Sequence, residues 1–186
     1  MLVCVVMCLA LSAVASPVYL HSDEDVLWKV APQDDVAEPA AVMSPGFDVS
    51  SWVDAIVPGT VFASYVAAGL EEDPNFGDNI ARVDRAKYDR SFWYRAEFAV
   101  PQDFDKEYVW LNFNGVNRKA DIYLNGKLLG TLDGFMHRGR FNVTDVVTRD
   151  GMNVLAVLVH IPQTPLANYG SPTYLCSGGW DWMPYV

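Results

Sequence analysis

Positive charge is scarce along this chain and nowhere concentrated. The 186 residues carry 13 Lys and Arg against 23 Asp and Glu, a formal net charge of -10. Phosphate binding needs clustered Lys and Arg, so nucleic acid is excluded as a partner class. Cysteine is rarer still, limited to Cys4, Cys8 and Cys176, so packing rather than a disulfide framework must hold the fold. Histidine is limited to His21, His137 and His160, and no local signature pairs one of them with a thiol or hydroxyl nucleophile. Also missing are a Gly-x-Ser-x-Gly elbow, a His-Glu-x-x-His pair and a glycine-rich phosphate loop. The acidic stretches lack the spacing and central glycine of a calcium loop. No metal and no cofactor is called for.

What is present is apolar and aromatic. Hydrophobic residues make up 51% and charged residues 19%, which excludes general disorder and supplies one domain with a real core. The 6 Trp and 9 Tyr exceed the needs of a plain core and suit a protein that handles carbohydrate. The apolar residues 1–11, followed by Ser12-Ala13-Val14-Ala15, read as a secretory leader cleaved after Ala15. The run is too short to span a bilayer. It implies a secreted or periplasmic protein, and its removal leaves Cys176 as a small residue buried beside a tryptophan-rich loop. Residues 16–50 are expected to form an N-terminal strand and loop joined to a sandwich over 51–186.

The strand pattern is read from periodicity. Val26-Leu27-Trp28-Lys29-Val30 is a first strand, followed by a loop around Pro32, Pro39 and Pro45. Residues 51–59 begin as a strand and close on Pro58-Gly59. Thr60 then caps a helix over 61–68, with Phe62, Tyr65 and Val66 on one face and Gly69 at its end. From Phe92 the period is two: Phe92, Tyr94, Ala96, Phe98 and Val100 share one face, and Trp93, Arg95 and Glu97 the other. Val109, Leu111 and Phe113 mark the next strand. Ala120, Ile122 and Leu124 lead into Asn125-Gly126, a type I′ hairpin signal whose return runs over 127–132. Two more strands are expected over 140–147 and 153–161, the last apolar enough to be buried on both faces. Short strands at this spacing, with one short helix, predict an all-β fold, a β-sandwich.

Hydrolysis of a glycosidic bond needs two carboxylic acids set about 5–5.5 Å or 6.5–9.5 Å apart. Of Glu24, Glu38, Glu71, Glu72, Glu97 and Glu107, no two are marked as a convergent pair. Asn142-Val143-Thr144 fits a glycosylation sequon and equally a turn, and His137-Arg138-Gly139-Arg140 reads as a polar connecting turn. The last ten residues are Ser177-Gly178-Gly179-Trp180-Asp181-Trp182-Met183-Pro184-Tyr185-Val186. The glycines let the backbone bend and the proline stops any helix. Two indoles with one carboxylate suit a sugar, whose C–H face lies on aromatic rings while its hydroxyls donate to the acid. The same residues also fit an aromatic core segment in which Asp181 caps a turn.

Several motifs in order carry a resemblance: Val57-Pro58-Gly59-Thr60-Val61, Asp73-Pro74 with Gly77 and Asn79, Phe92-Trp93-Tyr94-Arg95, Ala120-Asp121-Ile122-Tyr123-Leu124-Asn125-Gly126, Gly139-Arg140-Phe141-Asn142-Val143-Thr144-Asp145, Asn153-Val154-Leu155-Ala156-Val157 and Gly179-Trp180-Asp181-Trp182. Over 51–186 the chain resembles the N-terminal sugar-binding domain of glycoside hydrolase family 2, in the branch of β-mannosidases and exo-β-glucosaminidases. The resemblance implies a jelly-roll sandwich that precedes an immunoglobulin-like domain and a (β/α)₈ barrel. It implies that Asp181 holds hydroxyls of a non-reducing sugar, that Trp180 and Trp182 wall the pocket, and that Asn79 belongs to a neighbouring loop. Trp93, Tyr94 and Arg95 are expected to be structural. The family's acid/base glutamate follows an asparagine, and no Asn-Glu pair occurs here; Met183 replaces a glycine common in β-mannosidases. The expected partners are an oligosaccharide end and the barrel. The rival expectation is a stand-alone carbohydrate-binding module.

Overall fold

The computed structural model describes residues 3–7, 17–22, 26–134 and 137–161. Its strands are β1 (Val3–Met7), β2 (Val18–Tyr19), β3 (Trp28–Pro32), β4 (Val53–Asp54), β5 (Phe92–Ala99), β6 (Trp110–Val116), β7 (Lys119–Leu124), β8 (Lys127–Asp133), β9 (Gly139–Asn142) and β10 (Met152–His160). Two helices, α1 (Val61–Ala67) and α2 (Asn79–Arg82), lie in the connection from β4 to β5. The strands make two antiparallel sheets, in the orders β2-β1-β6-β9 and β4-β3-β5-β10-β7-β8. The fold is an all-β jelly-roll sandwich.

Alternation builds the core. Phe92, Tyr94, Ala96 and Phe98 of β5 join Ile122 and Leu124 of β7 and Leu155, Val157 and Val159 of β10 on the inner face. Leu111, Phe113 and Val116 of β6 meet them from the other sheet. Each large side chain so buried contributes about 1.5–3 kcal/mol. Trp28, fully buried, donates its indole N–H to Leu20 O at 2.9 Å, satisfying its polar end.

The outer face of the six-stranded sheet is covered as well. Trp93, Ala156 and Leu158 pack beneath Val36, Val42 and Trp52 of the segment between β3 and β4. This is why β10 is apolar from Val154 to Val159, as the sequence predicts. Arg95, 3% exposed, fastens that cover by donating to Val42 O at 2.9 Å and Ser44 O at 3.0 Å and pairing with Glu97. A buried guanidinium needs such a set of acceptors.

Asn125 and Gly126 turn the β7–β8 hairpin with φ of 49° and 82°, the left-handed pair a type I′ turn requires. Asn153, fully buried, accepts from Asn125 Nδ2 at 2.8 Å and Thr148 N at 2.7 Å and donates to Thr148 O at 2.8 Å. It closes the loop that feeds β10.

Four elements differ from the sequence reading. The stretch 51–59 contributes only the two-residue ladder of β4, because Ile56 N and Val57 N are taken by Ser64 Oγ and Ser22 Oγ at 3.0 Å. The strand expected over 140–147 stops at Asn142, whose Oδ1 accepts from Thr144 N at 3.1 Å and Thr144 Oγ1 at 2.7 Å and turns the chain. Besides α1, capped by Thr60 Oγ1 on Ala63 N at 3.0 Å, the loop over 70–90 forms the single turn α2. Val3–Met7, inside the expected leader, pairs as a strand between β2 and β6.

Candidate functional site

The strand registers bring several loops to one end of the six-stranded sheet. Pro32 and Val159 both pair with Phe92, His160 pairs with Lys119, and Lys119 pairs with Asp133. That end therefore gathers the close of β3, the loop before β5, the exit of β10, the β6–β7 turn and the turn after β8. Ser91 ties three of these together: its O accepts from Gln33 N at 2.8 Å and its Oγ from Ile161 N at 3.0 Å. Ile161, the last described residue, is thus held against Ser91, where the loop over 70–90 enters β5. Trp180, Asp181, Trp182 and Cys176 themselves lie outside the described residues.

The Asn79 loop is held by its own polar contacts. Asp73 Oδ1 accepts from Asn75 N at 2.9 Å, an Asx turn. Asn79 Nδ2 donates to Asp73 O at 2.9 Å, while its Oδ1 accepts from Arg82. Arg82 also lies 3.2 Å from Glu72 and 3.3 Å from Asp78, and Lys87 Nζ lies 2.8 Å from Glu71. Both ends of the Asn79 carboxamide are therefore engaged in shaping the loop. Tyr88 stacks edge-on against Phe62 and Tyr65, anchoring the loop to α1. Burial, with the Glu71 carboxylate beside it, pushes the Tyr88 phenol well above its ordinary range. Phe76, 75% exposed, projects from the loop.

At the same end Asp121 receives a hydrogen bond from Thr131 and stands 2.8 Å from His160 Nε2. Burial works to raise its pKa, but the Thr131 hydroxyl and the His160 ring outweigh that and hold the carboxyl below the usual value. The trio joins β7, β8 and β10 on their outer face.

Sequence reasoning missed Asn117. It sits in the β6–β7 turn, its Oδ1 is buried with no hydrogen-bond partner among the described residues, and the Asn117-Arg118 peptide is cis. Gly115-Val116-Asn117-Arg118 signals only a turn in the sequence, so nothing there singled it out. A buried carbonyl oxygen without a donor is rare enough to mark a position for a ligand or a neighbouring group.

Glu71, Glu72 and Glu97 are each in ion pairs, with Lys87, Arg82 and Arg95. Among the described residues no group of His, Cys, Asp or Glu could hold a metal ion. An open groove of about 520 Å³ lies beside the start of β3, away from this end, lined mainly by apolar residues such as Leu27, Ile56 and Ala67; of its polar members, Ser22 Oγ accepts from Val57 N and Asp54 pairs with Lys29. This end of the sandwich gathers hydroxyl, amide and carboxylate groups from several strands and loops, among them Ser91, Asn117 and Asp121.

Comparison with known proteins agrees. The profile described as "Glycosyl hydrolase 2 galactose-binding domain-like" matches residues 28–186. The chain is 33% identical over 152 residues to an exo-β-D-glucosaminidase of Streptomyces avermitilis, covering 80% of this chain and 16% of that protein. It is 31% identical over 157 residues to a mannosylglycoprotein endo-β-mannosidase of Lilium longiflorum, covering 75% and 16%. Among solved structures, the exo-chitosanase of Amycolatopsis orientalis superposes with a TM-score of 0.65 at 28% identity, covering 72% of this chain and 16% of that one. The β-D-mannosidase of Dictyoglomus thermophilum gives a TM-score of 0.58 at 28% identity, over 73% and 15%. The chain spans about a sixth of the length of these relatives. With its sandwich, its motif order and a profile match over 28–186, the chain belongs to glycoside hydrolase family 2, whose N-terminal galactose-binding-like domain it represents.

Proposed function

We propose that this chain is the substrate-recognition domain of a secreted or periplasmic exo-acting β-glycosidase, for which a barrel elsewhere in the longer protein supplies catalysis. One observation carries the reading. Ile161, after which the chain continues toward Trp180-Asp181-Trp182, donates to Ser91 Oγ at 3.0 Å, where the loop that carries Asn79 enters β5. In the proposed site Asp181 accepts hydrogen bonds from two hydroxyls of the non-reducing sugar, and Trp180 and Trp182 cover its apolar face. Asn79 holds the flanking loop, and Asn117 Oδ1 offers an acceptor at the same end. The reaction served is retaining hydrolysis of a terminal β-linked hexose or hexosamine, with both glutamates on the barrel.

The ion-paired glutamates here support that division of labour. The 186-residue chain should give no turnover of nitrophenyl β-glucosaminide or β-mannoside. Turnover abolished by substituting Glu71, Glu72 or Glu97 would overturn the proposal. Calorimetry separates it from a stand-alone binding module. Half a pocket yields no measurable heat with chito- or manno-oligosaccharides, whereas a module binds, and loses binding in Asp181→Ala.

A further inference from the structure

Asn142-Val143-Thr144 is the one Asn-x-Ser/Thr triplet in the 186 residues, and neither the core nor the recognition site uses its amide nitrogen. Asn142 ends β9 and is exposed, while Val143 beside it is buried. Its Oδ1 accepts from Thr144 N and Thr144 Oγ1, and Thr144 Oγ1 accepts in turn from Val109 N at 3.0 Å. Among the described residues no hydrogen bond uses Asn142 Nδ2. The turn therefore accounts for Thr144 and for an oxygen at residue 142. It does not account for an amide there, because a carboxylate would accept the same two bonds.

The surroundings suit a saccharide. Asn142 pairs directly with Trp110 across β6 and β9, so the two side chains share a face. Trp110 is half-buried, and the Arg140 guanidinium lies 4.3 Å from its ring centroid. That indole and guanidinium offer an apolar surface and hydrogen-bond donors beside the amide. In addition, β9 is the outer strand of its sheet, in the order β2-β1-β6-β9. An open strand edge invites pairing with other chains, and a bulky hydrated group at its end opposes that.

We propose that Asn142 is the acceptor for an N-linked glycan, attached as the chain crosses the secretory membrane and before β9 docks on β6. The order follows from the fold, since Val143 is buried and the Thr144 hydroxyl is engaged once the turn has formed. The donor is an oligosaccharide on a lipid pyrophosphate. Its anomeric carbon bonds to Asn142 Nδ2, its bond to the pyrophosphate oxygen breaks, and the amide releases one proton. The product keeps the carbonyl, so both bonds from Thr144 survive and the folded turn presents the glycan to solvent. The proposal rests on the secreted reading given above.

Peptide mass spectrometry of the protein purified from the organism that makes it tests this directly. The mature chain should begin at Ser16, and its Asn142 peptide should appear at the expected position only after peptide N-glycosidase, which leaves aspartate at the cleaved amide. A chain beginning at Ser16 with bare Asn142 would overturn the proposal and leave the secreted reading standing. A chain that keeps Met1 with bare Asn142 would overturn both. The acceptor itself is tested on the complete protein secreted from cultured eukaryotic cells behind a host leader in place of residues 1–15. There the protein and Thr144→Ser should carry the glycan. Asn142→Asp should lose it and keep its melting temperature, because the carboxylate still accepts from Thr144. A bare Asn142 in that system would also overturn the proposal.

Discussion

Arg95 shows how one residue can carry much of the fold's cohesion. Its guanidinium is buried and hydrogen-bonded to Val42 O and Ser44 O, so it pins an irregular cover onto the sheet. Arg95→Met keeps the bulk but leaves two carbonyls and Glu97 without their donor. The expected loss is about 3 kcal/mol in urea unfolding, below the upper range for buried pairs because Glu97 is a third exposed. Lysine reaches fewer acceptors, so Arg95→Lys should recover only part of that loss. At this scale the sequence was legible where chemistry follows from type and period. Trp93, Tyr94 and Arg95 read as structural, and the alternation that separates Phe92 from Trp93 is plain. It was silent on the acceptors of Arg95, because Val42 and Ser44 lie some 50 residues away and offer backbone atoms that any residue would have. Asn117 was illegible for a related reason, since only the surrounding fold reveals that its oxygen lacks a donor.

The β7–β8 hairpin and its neighbour β10 are the elements whose sequence and structure agree most closely. Asn125 and Gly126 occupy left-handed backbone, and an added Cβ at Gly126 would meet nothing within 4 Å. Gly126→Ala should therefore cost only the backbone penalty, about 1 kcal/mol in thermal unfolding. The outer face of the same strands carries a titrating contact. Asp121 has a folded-state pKa below its ordinary value of 3.8, held there by Thr131 and His160 against the effect of burial. A carboxyl of depressed pKa contributes stability above its unfolded value and loses it as pH falls through the folded one. Stability should thus fall as pH drops below about 3.8, and Asp121→Asn should flatten that slope in denaturant titrations. Strand ends were harder to read. The segments 51–59 and 140–147 look like strands by composition. Their amides and side chains instead go to Ser22, Ser64 and the Asn142–Thr144 turn, competitors that a periodicity argument does not see.

At the scale of the molecule, the two sheets of the sandwich deliver several loops to one end of the six-stranded sheet. The motifs from Val57 to Val157 made the architecture legible, since they mark strands and turns found in the sheet topology, while Gly179-Trp180-Asp181-Trp182 lies outside the described residues. The contact of Ser91 with the β10 exit at Ile161 was not legible, because it depends on antiparallel pairing of β5 and β10 across some 60 residues. Recognition supplied here and bond cleavage supplied elsewhere is the central claim. Kinetics of Asp181→Ala in the complete enzyme test it most directly, with a terminal β-glucosaminide or β-mannoside as substrate. Loss of two charge-assisted hydrogen bonds to the sugar should lower kcat/KM about 10- to 100-fold at an unchanged melting temperature. An unchanged kcat/KM in a variant that folds normally would contradict it.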